Sequence, residues 1–280
     1  MLRPRSIAPG VEVFDTLTPT LPPATHTNSY ALGTRDVLLV EPATPYADEQ
    51  RAWLDWARGI EGQGRRIAAI VLTHHHPDHV GGADTLAREL GVPLWAHAAT
   101  ASRLPELRVE RHLNEGDRLT LTGPVDQVWQ VLHTPGHAPG HVCLFEPEAG
   151  HVVVGDMVAS VGTILVDPYD GDMRVYLREL GRLRELGARL ALPAHGEPIV
   201  EPSQLFGFYI AHRLQREHKV LSALRACGQR GATPDELLPH AYADTARDAW
   251  PLARLSIQAH LVKLVADGLA QNVDEKHVAA

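Results

Sequence analysis

The stretch IAAIVLTHHHPDHVGG, Ile67 to Gly82, constrains this chain more than any other. It opens with a continuous apolar run of strand length, Ile67–Thr73, which predicts a strand covered on both faces. Such a strand needs a layer of structure on either side. The run then gives way to four histidines, an aspartate and a proline, ahead of a helix predicted from Gly82 to Leu90. Polar side chains therefore issue from the carboxyl end of a buried strand, where a packed scaffold can hold them still.

The surrounding sequence supplies those layers. Val11–Leu17, Asn28–Thr34 and Asp36–Pro42 read as an antiparallel start with turns between them. Asp48–Gly62 spaces Trp53, Trp56 and Ile60 as a helix that buries aromatics on a sheet. Further strands are predicted at Val92–Ala98, Asp126–Thr134, His141–Pro147, His151–Asp156 and, as the last, Ala188–His195, with an amphipathic helix at Asp172–Leu186. Strands and helices interleaved in this way imply an α/β or α+β layered domain. From Glu201 the texture becomes helical throughout. Ser203–Gly228 reads as one long helix with a glycine stop, and Thr233 as an N-cap ahead of Pro234. A last helix carries apolar residues at Leu252, Leu255, Ala259, Val262 and Leu269. The expected division is 1–200 and 201–280.

Composition narrows the function classes. A net charge of −8 gives no global signature of a nucleic-acid binder. No apolar run has the length of a membrane span, and the first residues lack the apolar core of a secretory signal, so a cytoplasmic protein is expected. Cys143 and Cys227 have no CxxC spacing and read as small hydrophobes rather than as a disulfide or a nucleophile. The 17 histidines, several of them clustered, are the unusual feature.

His74, His76, Asp78 and His79 form an H-x-H-x-D-H pattern, too dense for a polar turn assembled by chance. Neutral imidazole is a preferred ligand of Zn²⁺, and a carboxylate adds charge neutralisation. In extended backbone His74 and His76 point the same way and can clamp one ion. Asp78 and His79, beyond the turn at Pro77, can face a second ion, while His75 has the opposite parity. Further candidates stand where other buried strands end: His137 in TPGHAPGH, Asp156 in VVVGD and His195 in LPAHGEP. The Pro/Gly-rich turn around His137 and His141 excludes a helical i, i+4 metal pair.

The motifs THHHPDHVGG, TPGHAPGH, VVVGDMV and LPAHGEPI, in this order within residues 10–200, resemble the successive metal motifs of the metallo-β-lactamase superfamily. That resemblance implies an α+β fold, a four-layer αββα sandwich, with a dinuclear site at one edge of its sheets. It places His74, His76 and His137 on a first metal and Asp78, His79 and His195 on a second, with Asp156 bridging. The implied cofactors are two divalent ions, zinc foremost, and the implied nucleophile is a hydroxide held between them, with Asp78 as its catalytic partner. His141 is then left to orient the loop or to bond within a strand.

The superfamily site does not choose its own substrate. The region from Gly155 to Leu180 and the helical tail are similar to the lactamase-beta-two-like group, which includes single-stranded-RNA endonucleases and carries a winged-helix-like C-terminal segment. The same middle region resembles discrete thioesterases that release polyketides from carrier proteins. Residues 205–272 carry eight Lys/Arg against six acids, a net of +2, which is mild for an RNA-binding surface. An RNA endonuclease, an acyl hydrolase for thioesters or lactones, and a non-catalytic winged-helix module are thus the readings to separate. The tail can equally serve as a dimer arm. Thr163, in the segment after Asp156, is a candidate substrate contact.

Overall fold

The computed structural model describes residues 3–280. It divides into two compact units, one holding residues up to 134 together with 139–163 and 187–202, the other holding 135–138, 164–186 and 203–280.

The first unit is built on two sheets. The seven-stranded sheet runs in sequence order: β1 (Arg5–Ala8), β2 (Val11–Leu17), β3 (His26–Leu32), β4 (Asp36–Val40), β5 (Arg66–Val71), β6 (Leu94–Ala96) and β7 (Val109–His112). Its first four strands are antiparallel, and β4 through β7 are parallel. Parallel neighbours need crossovers, supplied here by α1 (Ala47–Gly62), the single turn α2 (Pro77–Val80), α3 (Ala83–Leu90) and α4 (Ala98–Arg103). The second sheet has β8 (Arg118–Leu121), β9 (Gln127–His133), β10 (Val142–Glu146), β11 (His151–Gly155), β12 (Leu190–Pro193) and β13 (Ile199–Val200) in spatial order β13-β12-β11-β10-β9-β8. The short β13 follows Ala188–His195, which is therefore not the last strand; with only two residues it carries too little pattern to be read.

Strand parity explains the layering. Val37 and Leu39 pack with Trp53, Trp56 and Ile60 of α1 and Leu86 of α3. Leu38 and Val40 face the other way, into a core shared with Trp129, Val131, Leu144 and Leu192 of the second sheet. In β5, Ile67 and Ile70 join the helix-side core and Ala69 and Val71 the sheet-side core, so the apolar run is covered on both faces. A register shift between Val37 and Leu38 against β5 reconciles the two faces of that strand.

The second unit contains α5 (Met173–Arg184), α6 (Ser203–Ala226), α7 (Pro234–Ala241), α8 (Trp250–Ala266) and a hairpin of β14 (Ala270–Val273) and β15 (Lys276–Ala279). Thr233 caps α7, its Oγ1 accepting from Glu236 N–H while the Glu236 carboxylate accepts from Thr233 N–H, with Pro234 in the first turn. The C-terminal segment is not all-helical: β14 and β15 close it as a wing. The buried face of α8 also differs from expectation. Ala253, Ile257, Leu261 and Leu264 enter the core, whereas Val262 and Leu269 are exposed. Apolar residues occur nearly all round this helix, so spacing alone selects no face. Among the described residues no helix is long and apolar enough to cross a membrane.

Candidate metal centre

Within the first unit, six of the seven predicted ligands sit after strand ends. His74 and His76 follow β5, Asp78 and His79 lie on α2, Asp156 follows β11 and His195 follows β12. Because β11 and β12 are parallel, their carboxyl ends fall on one edge of the sheet. Pro77 starts the turn α2, which brings Asp78 and His79 round as consecutive helical residues. His74 Nε2 and His76 Nδ1 stand 3.0 Å apart, as expected for two side chains on one side of an extended segment. His74, His79 and Asp156 offer donor atoms within 4.8 Å of one another, and so do Asp78, His79 and His195.

Three of the imidazoles have a partner on the far nitrogen. His79 Nδ1–H donates to Glu41 Oε2 at 3.0 Å and His195 Nδ1–H to the His26 carbonyl at 3.0 Å, while His74 Nδ1 pairs with the Thr73 hydroxyl at 3.0 Å. For His79 and His195 the lone pair is thereby left on Nε2. His79 Nε2 is buried without a hydrogen-bond partner; Asp156 Oδ2 lies 3.6 Å away and Asp78 Oδ1 3.8 Å away. His195 Nε2 is 3.3 Å from Asp156 Oδ1 and 3.6 Å from Asp78 Oδ2. Lone pairs and carboxylates converging across such gaps repel one another unless a proton or a cation lies between them. Imidazole and carboxylate donors in this arrangement fit a divalent transition-metal ion.

The electrostatics carry the same message. Burial lowers His79, but the carboxylates of Asp156, Asp78 and Glu41 outweigh it and hold the imidazole well above its ordinary value. His195 is likewise lowered by burial and raised further by Asp156. Burial raises Asp156, yet His195 and His79 bring it well below the usual carboxylate range. The cluster favours positive charge among its carboxylates.

His141 is fully buried and braces Asp156 rather than joining the donor set. Its Nε2 accepts from Asp156 N–H at 3.1 Å, which requires Nδ1–H to donate to Thr134 Oγ1 at 2.8 Å. Gly155, at positive φ, is needed there because a Cβ would meet His141 Nε2 and Thr73 Oγ1. His137 lies in the second unit, 5% exposed, its Nδ1–H donating to the Leu165 carbonyl at 2.8 Å. Its far nitrogen is thus held as in the other three histidines. Thr163 is exposed. Of the cysteines, Cys143 is buried and Cys227 half-buried, and neither is in a disulfide.

Sequence reading missed Glu41. It is 1% exposed, sits at positive φ, and accepts from Thr73 N–H through Oε1 while Oε2 holds His79. The available signal was an acid closing the apolar run of β4, in LLVEP, directly beside the histidine-bearing strand. Asn28 was missed too; its Nδ2 donates to the carbonyls of Pro193 and Gly196, tying β3 to the loop that carries His195.

Two sheets sharing a core, helices over one of them, and imidazoles with carboxylates at the strand ends define the class of metal-dependent hydrolases. The chain belongs to the metallo-β-lactamase superfamily, which it matches over residues 22–195, and residues 233–277 match the beta-lactamase associated winged helix domain. It is 30% identical over 215 residues to an atrochrysone carboxyl ACP thioesterase of Aspergillus chevalieri, covering 74% of this chain and 63% of that protein, less than two thirds of its length. It is 27% identical over 229 residues to the beta-lactamase-like protein 2 homolog of Drosophila melanogaster, covering 78% of this chain and 76% of that one. A solved metallo-beta-lactamase family protein of Thermus thermophilus aligns with a TM-score of 0.79 at 25% identity, over 98% of this chain and 100% of that one.

Proposed function

We propose that this protein is an acyl hydrolase that cleaves thioesters with two divalent metal ions, zinc being the ion its donor set suits best. His74, His76 and His137 would hold one ion and Asp78, His79 and His195 the other, with Asp156 available to both. Bound there, the ions supply Lewis acidity, bringing the pKa of water toward neutrality and polarising the substrate oxygen. The protein's own contribution is orientation. Glu41 and the carbonyls of His26 and Leu165 fix the tautomers of His79, His195 and His137, and the Thr73 hydroxyl anchors the His74 ring. Asp78, at 16% side-chain exposure, is the most open carboxylate of the cluster and accepts a hydrogen bond from the attacking water.

The observation that carries the choice of substrate is where the cations of the winged-helix unit go. Arg216 and Lys219 both pair with Asp244, Arg230 with Glu236, Arg254 with Asp235, and Lys263 with Glu217 and Asp267. Arg213 is buried and donates to the Ile164 carbonyl. Six of the eight cations noted in the tail are therefore committed inside their own unit, leaving little basic surface for a phosphate backbone. The likeness to a carrier-protein thioesterase supports the same reading.

Cleavage of single-stranded RNA is the second reading, favoured by the winged-helix match. The two separate in one assay. Zinc-loaded protein is given an acyl-pantetheine thioester with a thiol-reactive dye and, in parallel, end-labelled single-stranded RNA, each beside Asp78→Ala. Thiol release by the wild type alone, with intact RNA, is the expected result. RNA cutting that Asp78→Ala abolishes, with the thioester untouched, overturns the acyl reading and restores the nuclease.

A further inference from the structure

We propose that Arg213, on helix α6 of the C-terminal segment, is the positioning residue for His137, holding that imidazole in the tautomer and orientation that metal binding needs. The inference rests on the reading of His137 as a metal ligand.

Two adjacent carbonyls link the residues. His137 Nδ1–H donates to the Leu165 carbonyl at 2.8 Å. The preceding carbonyl, that of Ile164, accepts from the Arg213 guanidinium. Successive peptide planes share a Cα, so holding the Ile164 carbonyl limits the rotation available to Leu165. Arg213 is 3% exposed, and its guanidinium carbon lies 5.9 Å from the ring centroid of the fully buried Tyr176 on α5. That helix in turn fixes the other side of His137. The Gly136 carbonyl accepts from Asp172 N–H at 2.8 Å, and Asp172 Oδ1 caps α5 by accepting from Arg174 and Val175 N–H. Gly136 lies so close to the Tyr176 backbone that a Cβ has no room, and its φ of +128° also demands glycine. The backbone before His137 and the acceptor of its ring are thus fixed by one set of contacts, closed by Arg213.

The planar guanidinium does what an amide or ammonium does not: it donates in its plane to Ile164 while lying near the Tyr176 ring. Arg213 acts on His137 through Leu165 and touches no reacting atom.

The test is metal affinity, read with zinc alone against a chromophoric chelator, on full-length wild type, His137→Ala, Arg213→Met and Arg213→Lys. In wild type two equivalents bind. His137→Ala identifies which equivalent depends on that histidine. Arg213→Met is expected to weaken the same equivalent about 10–100-fold, the range for residues that orient a ligand, while the other binds as in wild type and serves as the internal control for folding. Arg213→Lys, which keeps the charge and one donor, falls between. Should Arg213→Met fail to melt cooperatively, Arg213→Lys carries the test alone. Two equivalents of wild-type affinity in whichever Arg213 variant folds overturn the proposal. If His137→Ala itself binds both ions normally, the ligand reading has failed and the proposal falls with it.

Discussion

Replacing Glu41 by glutamine is the smallest change that probes the site without touching a proposed ligand. The carboxylate is 1% exposed, with Oε2 3.0 Å from His79 Nδ1 and Oε1 3.1 Å from Thr73 N. A glutamine oxygen can still accept from Thr73, but the amide nitrogen then faces His79 Nδ1, and two donors cannot share one bond. Relief requires His79 to move its proton to Nε2, the atom that faces Asp78 and Asp156. The wrong tautomer then competes with the ion. The loss of a ligand-orienting group costs about 10–100-fold in metal affinity, or roughly 1.4–2.7 kcal/mol. Zinc competition titration of Glu41→Gln should therefore show one equivalent weakened by that factor and the other nearly unchanged. Two equivalents with wild-type affinity, in a variant that melts like wild type, would falsify the tautomer argument. Uniform weakening of both ions points instead to loss of local structure, because Thr73 also supports His74.

Other outcomes follow from the same structure. In the metal-free protein His79 and His195 are held above their ordinary values despite burial, chiefly by Asp156. Groups with raised folded pKa contribute stability fully present below about pH 6.5 and lost as pH rises through the folded value. The metal-free melting temperature should therefore fall as pH rises above about 6.5, and a flat or rising profile refutes this. Zinc affinity should rise over the same window, because the imidazoles shed protons to bind; a chelator titration at several pH values checks it. In the winged-helix unit His260 is lowered by burial, only partly offset by Glu217, so its contribution is present above about pH 6.5 and lost as pH falls. Amides of α8 should exchange faster at pH 5 than at pH 7 after correction for intrinsic rates, and unchanged protection argues against it. Thr233→Ala removes half of the capping box on α7 and should cost about 1 kcal/mol by denaturant unfolding.

What the sequence revealed and what it hid have different physical causes. A ligand must be one of a few residue types at a strand end, so an H-x-H-x-D-H run after a buried strand, with lone histidines and an aspartate after others, is legible as a pattern. The orienting partners are not. His26 and Leu165 act through backbone carbonyls, which every residue possesses, and Thr73 and Glu41 belong to types common everywhere. Their roles arise only when β4 and β5 pair in parallel and bring Glu41 beside Thr73. The face of α8 was hidden for another reason, since a helix apolar on most sides takes its orientation from its neighbours.

The same distinction bears on the tail. Counting charges left residues 205–272 mildly basic, and that count could not choose between an RNA-guiding surface and an inert one. The choice depends on which cations are already paired. Asp244 engages both Arg216 and Lys219, and Lys263 lies between Glu217 and Asp267. The Asp244 pairs reach solvent and contribute little stability, with a median of about 0–1 kcal/mol, so a gain in folding does not explain their pairing. Its consequence is electrostatic. A winged helix in which six of eight cations are engaged at short range within its own unit projects less positive field beyond a Debye length of about 8 Å at physiological salt than its cation count suggests, which supports the proposed acyl hydrolase over the nuclease.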